Sequence, residues 1–261
     1  MAGETLIRLS VFAGALILFA GLETLFPARA RVLPRARRWV TNLSLSALGS
    51  LVGALMAPVL AVAVAAFAAR QGWGLLNQVP VNPWIEGALA VILLDFAVWA
   101  QHVAFHYVPW LWRLHSVHHT DRDLDATTGV RFHPVEIGVS LLWKALVILA
   151  LGPSVLAVLV FEIVLNATAL FTHSNTALPR GLDRALRLLI VTPAMHRVHH
   201  SVVEAETNSN FGFNLSVWDR LFGTYRTRAR GELVLGLAEH QTDGPARLLP
   251  SLALPFRNSP D

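Results

Sequence analysis

The chain carries eleven histidines and no cysteine, so a strong metal site in it has to be built from imidazole and carboxylate. Eight of the histidines fall into three short clusters. His102-Val-Ala-Phe-His106 is an HxxxH pair, His115-Ser-Val-His118-His119 is an HxxHH triplet, and His196-Arg-Val-His199-His200 repeats the triplet downstream. Residues three and four apart share a helix face, so each triplet, when helical, is expected to turn its three rings toward one locus. Imidazole suits iron, copper, nickel and zinc. A zinc ion is satisfied by about four ligands, and eight or nine imidazoles therefore imply two metal ions. His173 follows Glu162 and Asn166 by helical steps and faces the same region. His133, in Arg131-Phe-His133-Pro134-Val-Glu136, is open to two readings, ligand or helix cap, and the lone His240 reads as a surface residue. The chain has no Glu-x-x-His, HExxH, Gly-x-Ser-x-Gly or P-loop motif, so hydrolysis and phosphoryl transfer lack their usual signatures.

These ligands need elements to hold them. Of 261 residues, 54% are hydrophobic and only 15% charged, with a mean hydropathy of +0.51, which excludes an ordinary soluble domain. The net charge of +4 does not point to nucleic acid, because the basic residues are almost all arginine and lie between apolar runs, where membrane topology and anionic headgroups account for them. Residues 5 to 26 form a first candidate span, with Arg8 and Glu23 near enough to its ends to reach water. A cleaved signal peptide ending at Ala28-Arg29-Ala30 is the competing reading, opposed by Glu4 and by the position of the positive charge. Residues 39 to 69 contain no charge and exceed the roughly 20 residues that a hydrocarbon core requires. A third span runs from about Trp84 to Tyr107, and the apolar segments 135–151 and 154–172, split by Gly152-Pro153, predict a helical hairpin.

The linker between the first two spans holds Arg29, Arg31, Arg35, Arg37 and Arg38, which the positive-inside rule assigns to the cytoplasm. Counting crossings from there puts every histidine at or beyond the cytoplasmic ends of spans. Lys144 and Glu162 come opposite each other in the hairpin and read as a buried ion pair. Asp95 has no such partner; it lies seven residues before His102 on the same helical face and is counted as a metal ligand or a support for one. The expected fold is all-α, an integral membrane helical bundle with about four to five membrane-embedded helices and a cytoplasmic histidine-rich di-metal cap. The whole chain, 1–261, reads as a single membrane domain. N-terminal transmembrane helices occupy 1–70, joined by the Arg-rich cytoplasmic loop; a catalytic core occupies 84–225 and a cytoplasmic tail 226–261.

The clusters occur in a specific order with further wording between them: Arg-x-His-Pro-x-Glu at His133, Phe171-Thr-His173-Ser-Asn175, Thr192-Pro-Ala-Met-His196, and Asn210-Phe-Gly-Phe running on to Trp218-Asp219 and Thr224-Tyr225. From about His102 to Tyr225 the sequence resembles the fatty acid hydroxylase and sterol desaturase superfamily, integral membrane oxidases with a histidine-rich di-iron centre. The resemblance implies that His102, His106, His115, His118, His119, His173, His196, His199 and His200 surround two irons, which zinc can displace in purified protein. Some relatives have a paired HxxxH where this chain has His173 alone, which leaves His133, Asn175 or a water to complete the set. Glu136, Asp121, Asp125 and Asp219 are the carboxylates available to orient imidazoles or to cap helices.

The chemistry so implied is O2-dependent hydroxylation or desaturation of a C–H bond in a lipid: a fatty acyl chain, sterol-like ring, carotenoid or ether lipid. The expected partners are the lipid substrate, the bilayer and a separate cytoplasmic electron-transfer protein, with no nucleic acid. Phe105, Tyr107, Trp110 and Trp112 line the access or anchor the interface. The alternative is a non-catalytic membrane metal-binding protein or metal transporter, which would hold its ligands near the bilayer midplane rather than at one face. The single lysine among so many arginines suggests a GC-rich bacterial genome, and with it a bacterial inner membrane.

Overall fold

A computed structural model describes residues 2–257. Seven longer helices precede the second triplet: α1 (Ala2–Leu25), α2 (Arg35–Leu55), α3 (Ala61–Gln71), α4 (Pro83–Tyr107), α5 (Pro109–His119), α6 (Pro134–Leu151) and α7 (Val155–His173). Two short ones follow, α8 (Arg180–Leu186) and α9 (Pro193–His199). The starts of α4, α5, α6 and α9 share one local cause. Each has proline at its first position, where the missing N–H costs nothing and the fixed φ favours the helical turn. Asn82 and Ser154 cap α4 and α7 through their side-chain oxygens.

Four of these helices, α1, α4, α6 and α7, are long and apolar enough to cross a membrane, and the chain is an integral membrane protein. Large apolar side chains such as Ile17, Leu146 and Leu156 stand exposed on their outer faces, as lipid contact requires. Against the inner faces, Ala61, Val64 and Ala65 of α3 pack with Leu94, Val98, Ile148, Val158 and Phe161.

The charge-free run 39–69 is not one helix. Pro58, within the short 3-10 turn Ala57–Val59, ends α2, and Leu60 is extended before α3 begins. The two pieces still pass from one end of the bundle to the other. Arg38 lies at the histidine end, and Gly74, just beyond α3, meets the hairpin tip so closely that a Cβ there would fall 2.2 Å from the Gly152 nitrogen. Gly152 ends α6 at φ +66°, a left-handed conformation that glycine adopts without strain, and the predicted hairpin turns there.

Two charges expected to reach water are paired within the protein instead, Arg8 half-buried and Glu23 fully so. Arg8 turns inward to Glu162 at 2.8 Å and so joins the predicted Lys144–Glu162 pair, itself 2.9 Å long. Glu23 is fully buried; its carboxylate accepts from the backbone nitrogens of Ala126 and Asn175 at 3.0 and 3.1 Å and from Arg35 at 3.0 Å. Burial without water makes such pairing the cheaper course. Glu23 thereby ties the end of α1 to the histidine end of α7.

Candidate metal centre

Nine histidines gather where α4, α5, α7 and α9 meet, and all are buried. They form two groups. His102, His106, His115, His119 and His199 present nitrogen atoms within 4.8 Å of one another, and His118, His173, His196 and His200 do the same. Helix geometry explains the division and corrects the expectation that each triplet serves one locus. Residues four apart, His115 with His119 and His196 with His200, stay together, whereas His118 and His199 are turned about 100° from their neighbours and join the other group. Each HxxHH thus bridges both groups.

Hydrogen bonds hold the rings by the nitrogen that faces away from the group. His102 Nδ1 donates to the Phe211 carbonyl at 2.7 Å, His118 Nδ1 to that of Arg131 at 3.2 Å, His173 Nδ1 to that of Ala169 at 2.7 Å, and His199 Nδ1 to that of Ser209 at 2.7 Å. His115 Nδ1 donates to Glu136 Oε1 at 2.7 Å, and His106 Nδ1 to Asn208 Oδ1 at 3.2 Å. These bonds assign the tautomer and leave Nε2 with a lone pair. Yet His102 Nε2 faces His115 Nε2 at 3.1 Å, and His118 Nε2 faces His173 Nε2 at 3.1 Å. Two lone pairs at that distance repel unless a cation lies between them. His106 Nε2, His199 Nε2, His196 Nδ1, His200 Nδ1 and both nitrogens of His119 are buried with no hydrogen-bond partner among the described residues. The donor set therefore fits metal ions.

Protonation points the same way. Burial first, then the neighbouring imidazoles, pushes His118, His119, His196, His199 and His200 well below the ordinary imidazole range. Burial lowers His115 to about 3. All are neutral near pH 7, the form that ligates.

A charged layer supports the α5 side. Arg38 grips Asp121 through two bonds of 2.6 and 2.7 Å and reaches Asp125 at 2.5 Å. Although burial alone would raise it, Asp121 falls to about 2 because Arg38 lies against it. Arg131 spans Val117, Asn42, Pro245 and Ser251, pinning the chain around Pro245 and Ser251 to α5 while its own carbonyl holds His118. Gly129 lets this layer touch α7, since a Cβ there would lie 2.5 Å from the Ala169 carbonyl oxygen, the atom that accepts from His173.

The other candidate residues lie outside both histidine groups. His133 belongs to neither group; its Nδ1 accepts from the Val135 nitrogen at 3.2 Å and its Nε2 reaches the Leu252 carbonyl, so it caps α6. Asn175 exchanges hydrogen bonds with the Arg29 backbone. Asp95 accepts from the Leu215 nitrogen and Trp218 Nε1 at 3.2 and 2.8 Å, fastening α4 to the segment before Tyr225. Asp219 accepts from the nitrogens of Phe211 and Gly212 and from Trp99, which sets the Phe211 carbonyl that orients His102. Glu136 alone among the four candidate carboxylates touches an imidazole of the groups. Asn208 and the carbonyl acceptors had no signal in the sequence, because any residue type supplies a carbonyl.

A cavity of about 310 Å³ lies among α2, α4, α6 and α7 and is walled at one end by His102 and His115. Leu45, Val98, Phe105, Ile137 and Leu165 give it apolar walls, and Ser50 and Asn166 are its exposed edge. Of the aromatic residues expected around the access, Phe105 lines this cavity, Trp112 packs on His106 and His119, and Tyr107 and Trp110 are exposed.

The fold is a membrane helical bundle with two adjoining all-histidine groups whose donors could each hold a metal ion, and with a largely apolar cavity beside one of them. The fatty acid hydroxylase model matches residues 87–224, more than half of the chain, and the chain belongs to that family. It is 31% identical over 169 residues to an ornithine lipid hydroxylase of Rhizobium tropici, covering 64% of this chain and 49% of that protein. Human alkylglycerol monooxygenase is 29% identical over 168 residues, 64% of this chain and 36% of the relative. Rat cholesterol 25-hydroxylase is 29% identical over 140 residues, 53% and 46% respectively. The chain thus matches about half of these relatives' length or less. No solved structure matches it.

Proposed function

We propose that the protein is an O2-dependent lipid hydroxylase whose nine clustered histidines hold two iron ions, one in each group. The opposed, lone-pair-bearing Nε2 atoms of His102 with His115 and of His118 with His173 carry this reading. When bound, such an iron pair supplies the activation of O2 and the attack on an unactivated C–H bond, giving an alcohol and water from the lipid, O2, two electrons and two protons. The chain's own part is placement. Backbone carbonyls and Glu136 hold the rings as neutral ligands, Phe211 and Asp219 steady α4 against the loop that follows α9, and the apolar walls exclude water and present one carbon to the His102 and His115 edge.

The substrate is a membrane lipid of the range spanned by the relatives' names, from an ornithine lipid to an alkylglycerol or a sterol; desaturation in place of hydroxylation is a matter of substrate pose. The catalytic core is 84–225, flanked by the helices of 1–70 and the 226–261 tail. The histidine end faces the cytoplasm, as the Arg29–Arg38 linker at that end supports, in a bacterial inner membrane. A separate cytoplasmic electron-transfer protein delivers the electrons.

Metal analysis after expression in ample iron, with purification in mild detergent free of chelators, tests this first. About two irons per folded chain, with absorbance that changes on reduction and re-oxygenation, is the expected result. A single ion or none would sink the dinuclear reading and bring the metal transporter forward.

A further inference from the structure

The cavity is more polar than a plain hydrocarbon chain needs. Three residues of α6 at spacings of four, Glu136, Ser140 and Lys144, form one stripe along its wall. Lys144 is engaged by Glu162. Ser140 accepts from Gln101 Nε2 at 2.9 Å, and Gln101 is the chain neighbour of His102. Glu136 is 3% exposed; its Oε1 accepts from His115, while its Oε2 is buried with no partner. A buried carboxylate oxygen left without a donor is costly. A metal ion in the first histidine group does not relieve that cost, because the His115 ring stands between: Nδ1 faces Glu136 and Nε2 faces His102. The molecule that fills the cavity is placed to supply a donor, beside the contribution that the His133 backbone already makes to the carboxyl.

We propose that the cavity binds an amphiphile through an O–H or N–H group that donates to Glu136 Oε2, beside His115. The substrate is then a lipid oxidised within a few bonds of a hydrogen-bond donor, not an unfunctionalised alkyl chain oxidised in mid-tail. Glu136 is a positioning residue in two directions at once, holding a ligand with one oxygen and the substrate with the other. The position of oxidation rests on the hydroxylase reading, whereas the binding preference does not.

Two probes of equal chain length separate the donor from the chain: radiolabelled 1-dodecanol and 1-methoxydodecane, partitioned between empty nanodiscs and nanodiscs holding the metal-loaded protein. The unmodified protein is expected to favour the alcohol about tenfold beyond the empty-disc ratio, the worth of one hydrogen bond to a buried carboxyl acceptor. Glu136→Gln keeps an oxygen for His115 Nδ1 and turns an amide donor toward the cavity; its iron content should hold while the preference falls to about threefold or less. Equal binding of both probes by the unmodified protein overturns the proposal, as does an undiminished preference in an iron-replete variant. If the variant does not assemble, oxidised positions mapped on dodecanol decide: products clustered near the hydroxyl end support the proposal, and products scattered toward the methyl end overturn it. A donor preference with no oxidation under reductant and O2 would count against the hydroxylase reading alone, and oxidation without preference against this inference alone.

Discussion

The two histidine groups share the rings of the same two HxxHH triplets, yet they differ in number and in surroundings. The group of His102, His106, His115, His119 and His199 has five rings, draws two from a membrane helix and borders the apolar-walled cavity. The group of His118, His173, His196 and His200 has four and is backed by Arg131 and Ala169 carbonyls next to the Arg38 layer. The four-membered group has one imidazole fewer to lose than its neighbour. The cavity-side group can therefore yield a ligand position to chemistry, while the other is anchored by structure.

Changes that strike both groups should have the largest effect. Replacing His118 and His119 together by alanine takes one ring from each and should remove most bound metal and all lipid oxidation, while circular dichroism still reports a helical membrane protein. Oxidation at the parental rate in that variant would break the dinuclear assignment. Single substitutions sharpen the contrast. His173→Ala should cost the four-membered group its ion, whereas His199→Ala leaves four rings in the other and should retain metal with weaker affinity; elemental analysis showing equal loss would mean that the groups do not act separately. Arg38→Leu strands Asp121 and Asp125 in a buried site and should lower stability by about 3–5 kcal/mol. Thermal unfolding in detergent reads that loss, and metal should leave the four-membered group first because Arg131, which holds His118, shares the same layer. His133→Ala should be the mildest, costing roughly 1 kcal/mol as a lost helix cap with metal content unchanged; a fall in metal content would return His133 to the ligand set.

Much of the architecture was legible from local pattern. The spans α1, α4, α6 and α7 are long apolar runs whose ends are marked by proline, glycine or capping residues, and those signals act over a few residues. The break at Pro58 was visible as a residue but hidden by the charge-free run around it. The fates of Arg8, Glu23 and Asp95 were not legible, because their partners lie 154, 152 and 123 residues away in Glu162, Asn175 and Trp218. The same limit applies to His133 and Asn175. Each sits beside motif residues in the chain, yet one reaches Leu252 and the other Arg29.

What the sequence determined by itself was chemical supply: nine histidines at helical spacings, no thiol to compete with them, and apolar spans to carry them. Those properties depend on residue type and on distances of three or four positions, which a helix converts into geometry without outside help. Which ring joins which group, which nitrogen keeps its lone pair, and which side faces the cavity were decided only when four helices met. Each of those outcomes depends on atoms supplied by distant segments, many of them backbone carbonyls that every residue carries alike.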